Sequence, residues 1–94
     1  MAHKRASDDW AGFAAALGAE LHRLRTELGL SQEEVAYSAG LSRYTYQKLE
    51  RGESAPGSPA NPLLQNVMAV AQVLGVPVEQ LLPKERPDLR AGRR

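Results

Sequence analysis

The sequence contains no cysteine, which excludes disulfide bonds and thiolate metal sites. Histidine is nearly absent too, because His3 and His22 are the only two and no carboxylate spacing completes a metal site around them. The sequence also lacks a nucleophile–base pair, a phosphate-binding loop and any cofactor motif. We therefore predict that the protein is not an enzyme, and that it has no catalytic residues, metal, cofactor or small-molecule ligand.

Long hydrophobic runs are absent as well. The longest apolar run near the N-terminus, Phe13–Leu17, is far too short for a membrane span or a signal sequence. Charge of one sign is not in excess, because twelve basic residues stand against eleven acidic ones. That balance decides nothing about nucleic acid, whose binding depends on where the charge lies. We expect a soluble cytoplasmic protein without a membrane segment.

What the sequence does have is helical periodicity. Its 94 residues, 43% hydrophobic, fit a single globular domain. The first helix is predicted from about Asp8 to Leu28, with Ser7 as its N-cap and Gly29 as its left-handed stop. Gly12 and Gly18 lie inside this helix, which leaves two alternatives: the helix frays before about Phe13, or Gly18 permits close packing. The apolar stripe, at steps of three and four residues, comprises Trp10, Phe13, Ala14, Leu17, Leu21, Leu24 and Leu28.

Two short helices are predicted next. Ser31 and Glu34 form a capping-box pattern at the start of the second helix, which Gly40 interrupts after two turns. Ser42 is the predicted N-cap of a third helix, Arg43–Arg51, which the following glycine ends.

Proline and glycine punctuate the rest of the chain. Residues 53–62 are so rich in Gly, Pro, Ser and Ala that we predict a loop. Asn61 and Pro62 are predicted to start a fourth helix as its N-cap and first residue, and Val78–Leu82, bounded by prolines, a short fifth one. The predicted buried stripe of the fourth helix comprises Leu64, Val67, Met68, Ala71 and Leu74.

These patterns together predict an all-α fold of five helices, because no strand-like alternation is present. The domain is predicted over residues 8–83. Residues 1–7 are predicted to form a flexible N-terminal arm, and residues 84–94 a flexible basic tail with five basic and two acidic residues.

The segment from Gln32 to Arg51 meets the physical demands of a helix-turn-helix. A small residue is needed where the two helices cross, and Ala36 supplies it; the turn needs a residue that accepts positive φ, and Gly40 supplies that. The residues predicted to lock both helices onto the domain are Val35, Leu41, Tyr46 and Leu49. The residues left projecting outward are Arg43, Tyr44, Gln47 and Lys48.

An outward face of this composition suits double-stranded DNA. Arg or Lys can bond guanine in the major groove and Gln can bond adenine, whereas Gln32 and Thr45 suit phosphate oxygens. An ordinary exposed helix face is the alternative, and for Tyr44 the choice between a base or sugar contact and a surface ring is even. The predicted DNA-binding residues are Gln32, Ser42, Arg43, Tyr44, Thr45, Gln47, Lys48 and Arg51.

The region from about Leu21 to Leu82 resembles the phage-repressor and Cro family of helix-turn-helix regulators, also called the xenobiotic-response-element family. The shared motifs are Gly29-Leu30-Ser31-Gln32-Glu33, Ala39-Gly40-Leu41-Ser42, Leu49-Glu50-Arg51-Gly52-Glu53, Leu74-Gly75-Val76 and Leu81-Leu82. The resemblance implies that Gln32 holds a phosphate and that Arg25 pairs with Glu50 beneath the recognition helix. The residues that it implies meet base edges are Arg43, Tyr44 and Lys48.

Two features depart from the family pattern. Tyr46 stands where a branched aliphatic residue is usual, so its hydroxyl must find a partner or solvent. The loop before Asn61 is about six residues longer than usual, and such an insertion costs little in a surface loop. It could touch the DNA backbone, contact a partner subunit or be a tolerated insertion.

The sequence therefore predicts a sequence-specific transcriptional regulator of double-stranded DNA. Repression is favoured over activation, because so short a chain shows no effector domain. We expect a homodimer on a two-fold symmetric operator, and a short terminal helix could not bury all of its apolar residues alone. The candidate dimer residues are Val76, Val78, Leu81 and Leu82. The alternatives are a protein-interaction module with the same helical fold, or an antitoxin that both binds DNA and masks a toxin.

Overall fold

The computed structural model describes residues 6–91, with the backbone alone at residues 6–8. His3, most of the predicted arm and residues 92–94 of the predicted tail lie outside the described residues. In chain order the structure contains α1 (Ala6–Glu27), α2 (Gln32–Ser38), α3 (Arg43–Arg51), β1 (Glu53–Ala55), β2 (Ser58–Pro59), α4 (Leu64–Leu74) and α5 (Val78–Leu81). The described part is thus mostly helical, with five helices as predicted, but a small sheet makes the all-α description approximate. None of its helices is long and apolar enough to cross a bilayer.

Helix α1 begins two residues earlier than the sequence predicts. It already includes Ala6, so Ser7 lies inside the helix and is not its N-cap. It ends at Glu27, and Gly29 follows with φ of 73°, as predicted for the stop. Leu28 is 53% exposed because it lies past the end of the helix, which contradicts its place in the predicted stripe. The buried members of that stripe are Ala14, Leu17, Leu21 and Leu24.

Helices α1 and α3 cross at Gly18 with no room for a side chain. A Cβ there would lie 2.7 Å from the carbonyl oxygen of Leu49 and closer still to that of Glu50. Of the two predicted alternatives, the structure shows close packing at Gly18, and α1 continues through Phe13 back to Ala6. The C-terminal half of α3 therefore packs directly against the backbone of α1.

Both short helices start at the predicted caps. The Ser31 hydroxyl accepts the Glu34 backbone N–H at 3.0 Å, and the Glu34 carboxylate accepts the Ser31 N–H at 2.8 Å. Ser42 caps α3 by accepting the backbone N–H of Thr45 at 3.0 Å. These reciprocal bonds satisfy amide donors that the first helical turn leaves unpaired.

The turn and the crossing of α2 and α3 also form as predicted. Gly40 has φ of 74°, which a side chain would strain, and Ala36 is 1% exposed between the helices. The residues buried from α2 and α3 are Val35, Ala36, Tyr46 and Leu49, with Leu41 packed against the same core. This core holds α3 as a rigid unit with its opposite side outward.

Residues 53–62, predicted as a loop, contain a β-hairpin. β1 and β2 pair antiparallel with Glu53 opposite Pro59, and residues 56–57 form the turn between them. The loop prediction is wrong over these residues, because composition reveals turn residues without showing that the short segments beside them pair.

The hairpin is tied to α1 and α3. The Ala60 N–H donates to the Gly52 carbonyl at 2.9 Å, and the Ala60 carbonyl accepts from the Trp10 indole at 2.7 Å. Gly52 itself lies against α1, since a Cβ there would come within 2.8 Å of the Cα of Ala15. The Trp10 ring stacks on Phe13 with centroids 5.2 Å apart. The first turns of α1 therefore support the hairpin.

Helix α4 starts later than predicted and buries a different face. Leu63 rather than Asn61 occupies the N-cap position, and no side chain caps the helix. Leu64 and Met68 are 70% and 44% exposed, contrary to prediction, whereas Val70 is fully buried. The buried residues of α4 are Val67, Val70, Ala71 and Leu74. Apolar residues also flank the exposed Gln65 and Gln72, and the predicted stripe took in two of these, Leu64 and Met68, from the outer side.

Helix α5 packs on both α1 and α4. Leu81 is fully buried, Val76 and Val78 pack against the core, and Leu82 is half-buried. Of these four residues only Leu81 is buried, and Val76, Val78 and Leu82 stay partly exposed, as expected for a short terminal helix. Their role in a dimer surface stays a prediction.

The crossing at Gly18 can be tested by adding a single methyl group. Gly18→Ala should lower the free energy of unfolding by about 1–3 kcal/mol, because overpacking outweighs the gain in helix propensity. Gly12→Ala is the matched control: its Cβ meets no atom within 4 Å, so it should raise stability by about 0.5–1 kcal/mol. Urea unfolding measures both changes. Equal stabilisation by the two substitutions would contradict the close crossing.

Candidate nucleic-acid interface

The outer side of α3 presents polar side chains to solvent. Arg43 is exposed and Tyr44 is 61% exposed. Lys48, one turn later and half-buried, places its Nζ 4.6 Å from the centroid of the Tyr44 ring, a cation–π contact. Arg51, at the end of the helix, is exposed as well. The structure therefore places the three residues implied to meet base edges along the free side of one helix.

The charge of this side is positive because the only carboxylate of α3 is turned inward. The Glu50 side chain is 5% exposed, whereas Arg43 and Arg51 are exposed. Cations concentrated on one face attract a polyanion even when the net charge of the chain is close to zero.

Ser42 and Thr45 lie at the start of α3. The Ser42 hydroxyl donates to Thr45 Oγ1 at 2.9 Å, so the hydroxyl proton of Thr45 can be donated to another acceptor. Thr45, Lys48 and Ser54 of the hairpin line one cleft of about 200 Å³ beside the outer side of α3. Hydroxyl and ammonium donors at such a place suit phosphate oxygens.

Beneath α3 the Glu50 carboxylate is the centre of a buried polar cluster. Arg25 Nε donates to Glu50 Oε2 at 2.5 Å, and the Tyr46 hydroxyl donates to the same oxygen at 2.6 Å. Gln32 Nε2 donates to Oε1 at 2.9 Å, and His22 Nδ1 lies 3.2 Å from it. The pairing of Arg25 with Glu50 that the resemblance implied is confirmed. Helices α1, α2 and α3 thus meet at one carboxylate.

These donors keep Glu50 ionised. Burial by itself raises the pKa of Glu50, but hydrogen bonds from Arg25, Tyr46, Gln32 and His22 outweigh it and lower that pKa to about 2. Burial, followed by the bond to Glu50, raises the pKa of Tyr46 well above its ordinary value. The hydrogen bond to Glu50 raises the pKa of Arg25. The cluster is therefore an ion pair with a neutral phenol across the whole neutral range.

The two glutamines of the predicted interface are linked to each other. Gln32 Oε1 accepts a hydrogen bond from Gln47 Nε2 at 3.2 Å, and both side chains are half-buried. Gln47 is thus turned toward the start of α2 and does not stand free. The roles of Gln32 and Gln47 in binding DNA stay predictions.

Sequence reasoning missed the partner of the Tyr46 hydroxyl. The i,i+4 spacing of Tyr46 and Glu50 places them on one side of a helix and could have revealed the bond. His22 lies one turn before Arg25 on α1, a similar signal. The hydrogen bond between Gln32 and Gln47 joins residues 15 apart in the chain, and no local sequence pattern predicts it.

Tyr46→Phe tests the cluster through its pH dependence. Because folding lowers the pKa of Glu50 from its ordinary value of 4.5, ionised Glu50 stabilises the fold at pH values above 4.5. This contribution is lost as the pH falls toward about 2. Removing the phenol donor should raise the pKa of Glu50, start acid unfolding at higher pH, and cost about 1.5–3 kcal/mol near pH 7. Urea unfolding from pH 2 to 7 measures this.

Tyr37→Phe is the control, because Tyr37 is 86% exposed and also loses only a hydroxyl. It should leave the stability and the acid profile unchanged. If both variants followed the wild-type profile, the bond between Tyr46 and Glu50 would contribute nothing in solution.

Comparison with known proteins matches this architecture to a family. The sequence model of the family described as helix-turn-helix domain matches residues 16–82. An uncharacterized HTH-type transcriptional regulator, y4dJ of Sinorhizobium fredii, is 39% identical over 70 residues, which cover 73% of this chain and 83% of that protein. The cryptic phage CTXphi transcriptional repressor RstR of Vibrio cholerae is 34% identical over 70 residues, but the match covers only 58% of its length.

Solved structures share the fold as well. The restriction-modification controller protein C.AhdI of Aeromonas hydrophila superposes with a TM-score of 0.65 at 33% identity, over 73% of this chain and 96% of that one. A hypothetical transcription factor, NHTF, from Neisseria has the same TM-score of 0.65 at 30% identity, over 88% of this chain and 84% of that one. The chain therefore belongs to the helix-turn-helix transcriptional regulators of the phage-repressor and Cro type.

Proposed function

We propose that this regulator is a sequence-specific repressor that binds double-stranded DNA as a homodimer and inserts α3 into the major groove. The observation that carries the proposal is the division of α3 into two sides. Its cations face outward and its one carboxylate is buried against Arg25, so the free side is positive and rigidly supported. The phage repressor and the restriction-modification controller among its relatives support the same function.

The proposed contacts divide by chemistry. Arg43 and Lys48 meet base edges, and Tyr44 stacks beside Lys48 at the same surface. The residues proposed to hold the DNA backbone are Gln32, Ser42, Thr45 and Arg51. Gln47 belongs to the same interface.

A homodimer is proposed because a single module has a small interface with DNA, and a second copy doubles the contacts. Two recognition helices would then lie one turn of DNA apart, on the order of 34 Å. Repression requires only that the bound dimer occlude a promoter. We place this activity in the cytoplasm.

Selection of bound duplexes from a random pool, at stated salt concentration, tests the proposal. We expect enrichment of one short sequence that recurs with two-fold symmetry, with half-sites about one helical turn apart. Sedimentation at tens of micromolar, with and without the selected duplex, reports the number of subunits. Failure to enrich any sequence would contradict the proposal and favour a protein-interaction module.

Arg43→Ala distinguishes a base contact from sequence-independent electrostatic attraction to DNA. It should weaken binding to the selected duplex by about 1–3 kcal/mol and relax preference at one base position, because one base contact is lost. Arg86→Ala is the control, since Arg86 lines a cleft with Asp9 and Phe13 at the far end of α1. Competition assays with single-base variants measure both. Equal loss on selected and random duplexes would refute a base-reading role for Arg43.

A further inference from the structure

Gln47 occupies an outward position of α3, but its side chain is committed to a neighbour. Its Nε2 donates to Gln32 Oε1 at 3.2 Å, and Gln32 Nε2 donates in turn to Glu50 Oε1 at 2.9 Å. The three side chains form a relay that starts at a carboxylate 5% exposed and ends at the interface.

The carboxylate decides the direction of the whole relay. Glu50 is ionised beside Arg25 and can only accept hydrogen bonds, so Gln32 must turn its NH₂ group toward it. The Gln32 side-chain carbonyl then faces Gln47, which must donate a hydrogen bond to it from its own NH₂ group. Neither amide can flip without placing an oxygen against an oxygen.

The relay leaves one donor of Gln32 free. Of its two amide N–H groups, one is bound to Glu50, and the second takes part in no hydrogen bond within residues 6–91. Because hydrogen bonds hold both Nε2 and Oε1 of Gln32, the direction of this second N–H is fixed before any ligand binds.

We propose that Gln47 is a positioning residue: it holds the Gln32 amide so that its free N–H meets a DNA phosphate oxygen. Gln47 then sets the affinity for any duplex, whereas Arg43 and Lys48 set base preference. Bidentate pairing with adenine would need both polar atoms of the Gln47 amide at a base edge, and its nitrogen is turned to Gln32. The inference rests on the proposed function, because it requires α3 to face DNA.

A double-mutant cycle on DNA binding tests the relay. Gln32→Met and Gln47→Met keep side-chain length and helix propensity while removing the amides. Gln32→Met should lower affinity about tenfold, the effect of one hydrogen bond to a phosphate. Gln47→Met should lower it about three- to tenfold, because a loosened Gln32 must be ordered on binding. The losses should be equal on the selected and random duplexes, and the double variant should bind no more weakly than Gln32→Met.

Gln72→Met, an exposed glutamine on α4, is the control and should bind as the wild type does. In the absence of DNA, NMR supplies a second readout. The side-chain amide signals of Gln32 should shift and exchange faster with water in Gln47→Met, while the melting temperature stays unchanged.

Each other outcome has a definite meaning. Additive losses, or no loss in Gln47→Met, would overturn the positioning role while the regulator proposal stands. A loss confined to the selected duplex, with altered preference at one base, would make Gln47 a base-reading residue and also overturn it. A wild-type protein that binds duplex DNA without preference contradicts the proposed sequence specificity, yet the cycle on random duplex still tests the relay. Absence of all duplex binding overturns both.

Discussion

The rest of this structure depends on one buried charge, the carboxylate of Glu50. A carboxylate removed from water is costly unless every lone pair finds a donor, and here Arg25, Tyr46 and Gln32 supply donors from α1, α3 and α2. Each donor must hold its own position for the carboxylate to stay ionised. The cluster therefore couples the orientation of the three helices that place the outer side of α3.

Close backbone contacts also fix the position of α3 against α1. Gly18 lets α3 lie directly on α1, and Gly52 lets the chain continue against α1 into the hairpin. The hairpin is then held by Trp10, which lies in the part of α1 before the family match at residues 16–82. The hairpin and the first turns of α1 thus stabilise each other.

The same arrangement explains how a chain with almost no net charge can face a polyanion. Burying Glu50 removes the only negative group of α3 from the outer side, and the cation of Lys48 rests on the Tyr44 ring. Side chains held in this way lose less conformational freedom when a ligand binds. Preorganisation of the interface is therefore a consequence of core packing, not of the surface residues alone.

Local chemistry determined the helix-turn-helix from sequence alone. The capping pair Ser31 and Glu34, the turn at Gly40 and the outward set on α3 depend on residues a few positions apart, which a linear pattern records. The family motifs extended that to the pairing of Arg25 with Glu50. The predicted DNA contacts themselves remain predictions, since their geometry on a duplex lies beyond the free chain.

Only the tertiary structure decided the rest, because those features join distant segments or depend on which of two neighbouring helix faces meets the core. The hairpin needs Gly52, Ala60 and Trp10 together. The predicted stripe of α4 was displaced toward its outer side, where Leu64 and Met68 lie beside the exposed Gln65 and Gln72, and contacts with the core selected Val70 instead. The link from Glu50 through Gln32 to Gln47 runs from α3 to α2 and back, so it exists only once packing has brought the two helices together.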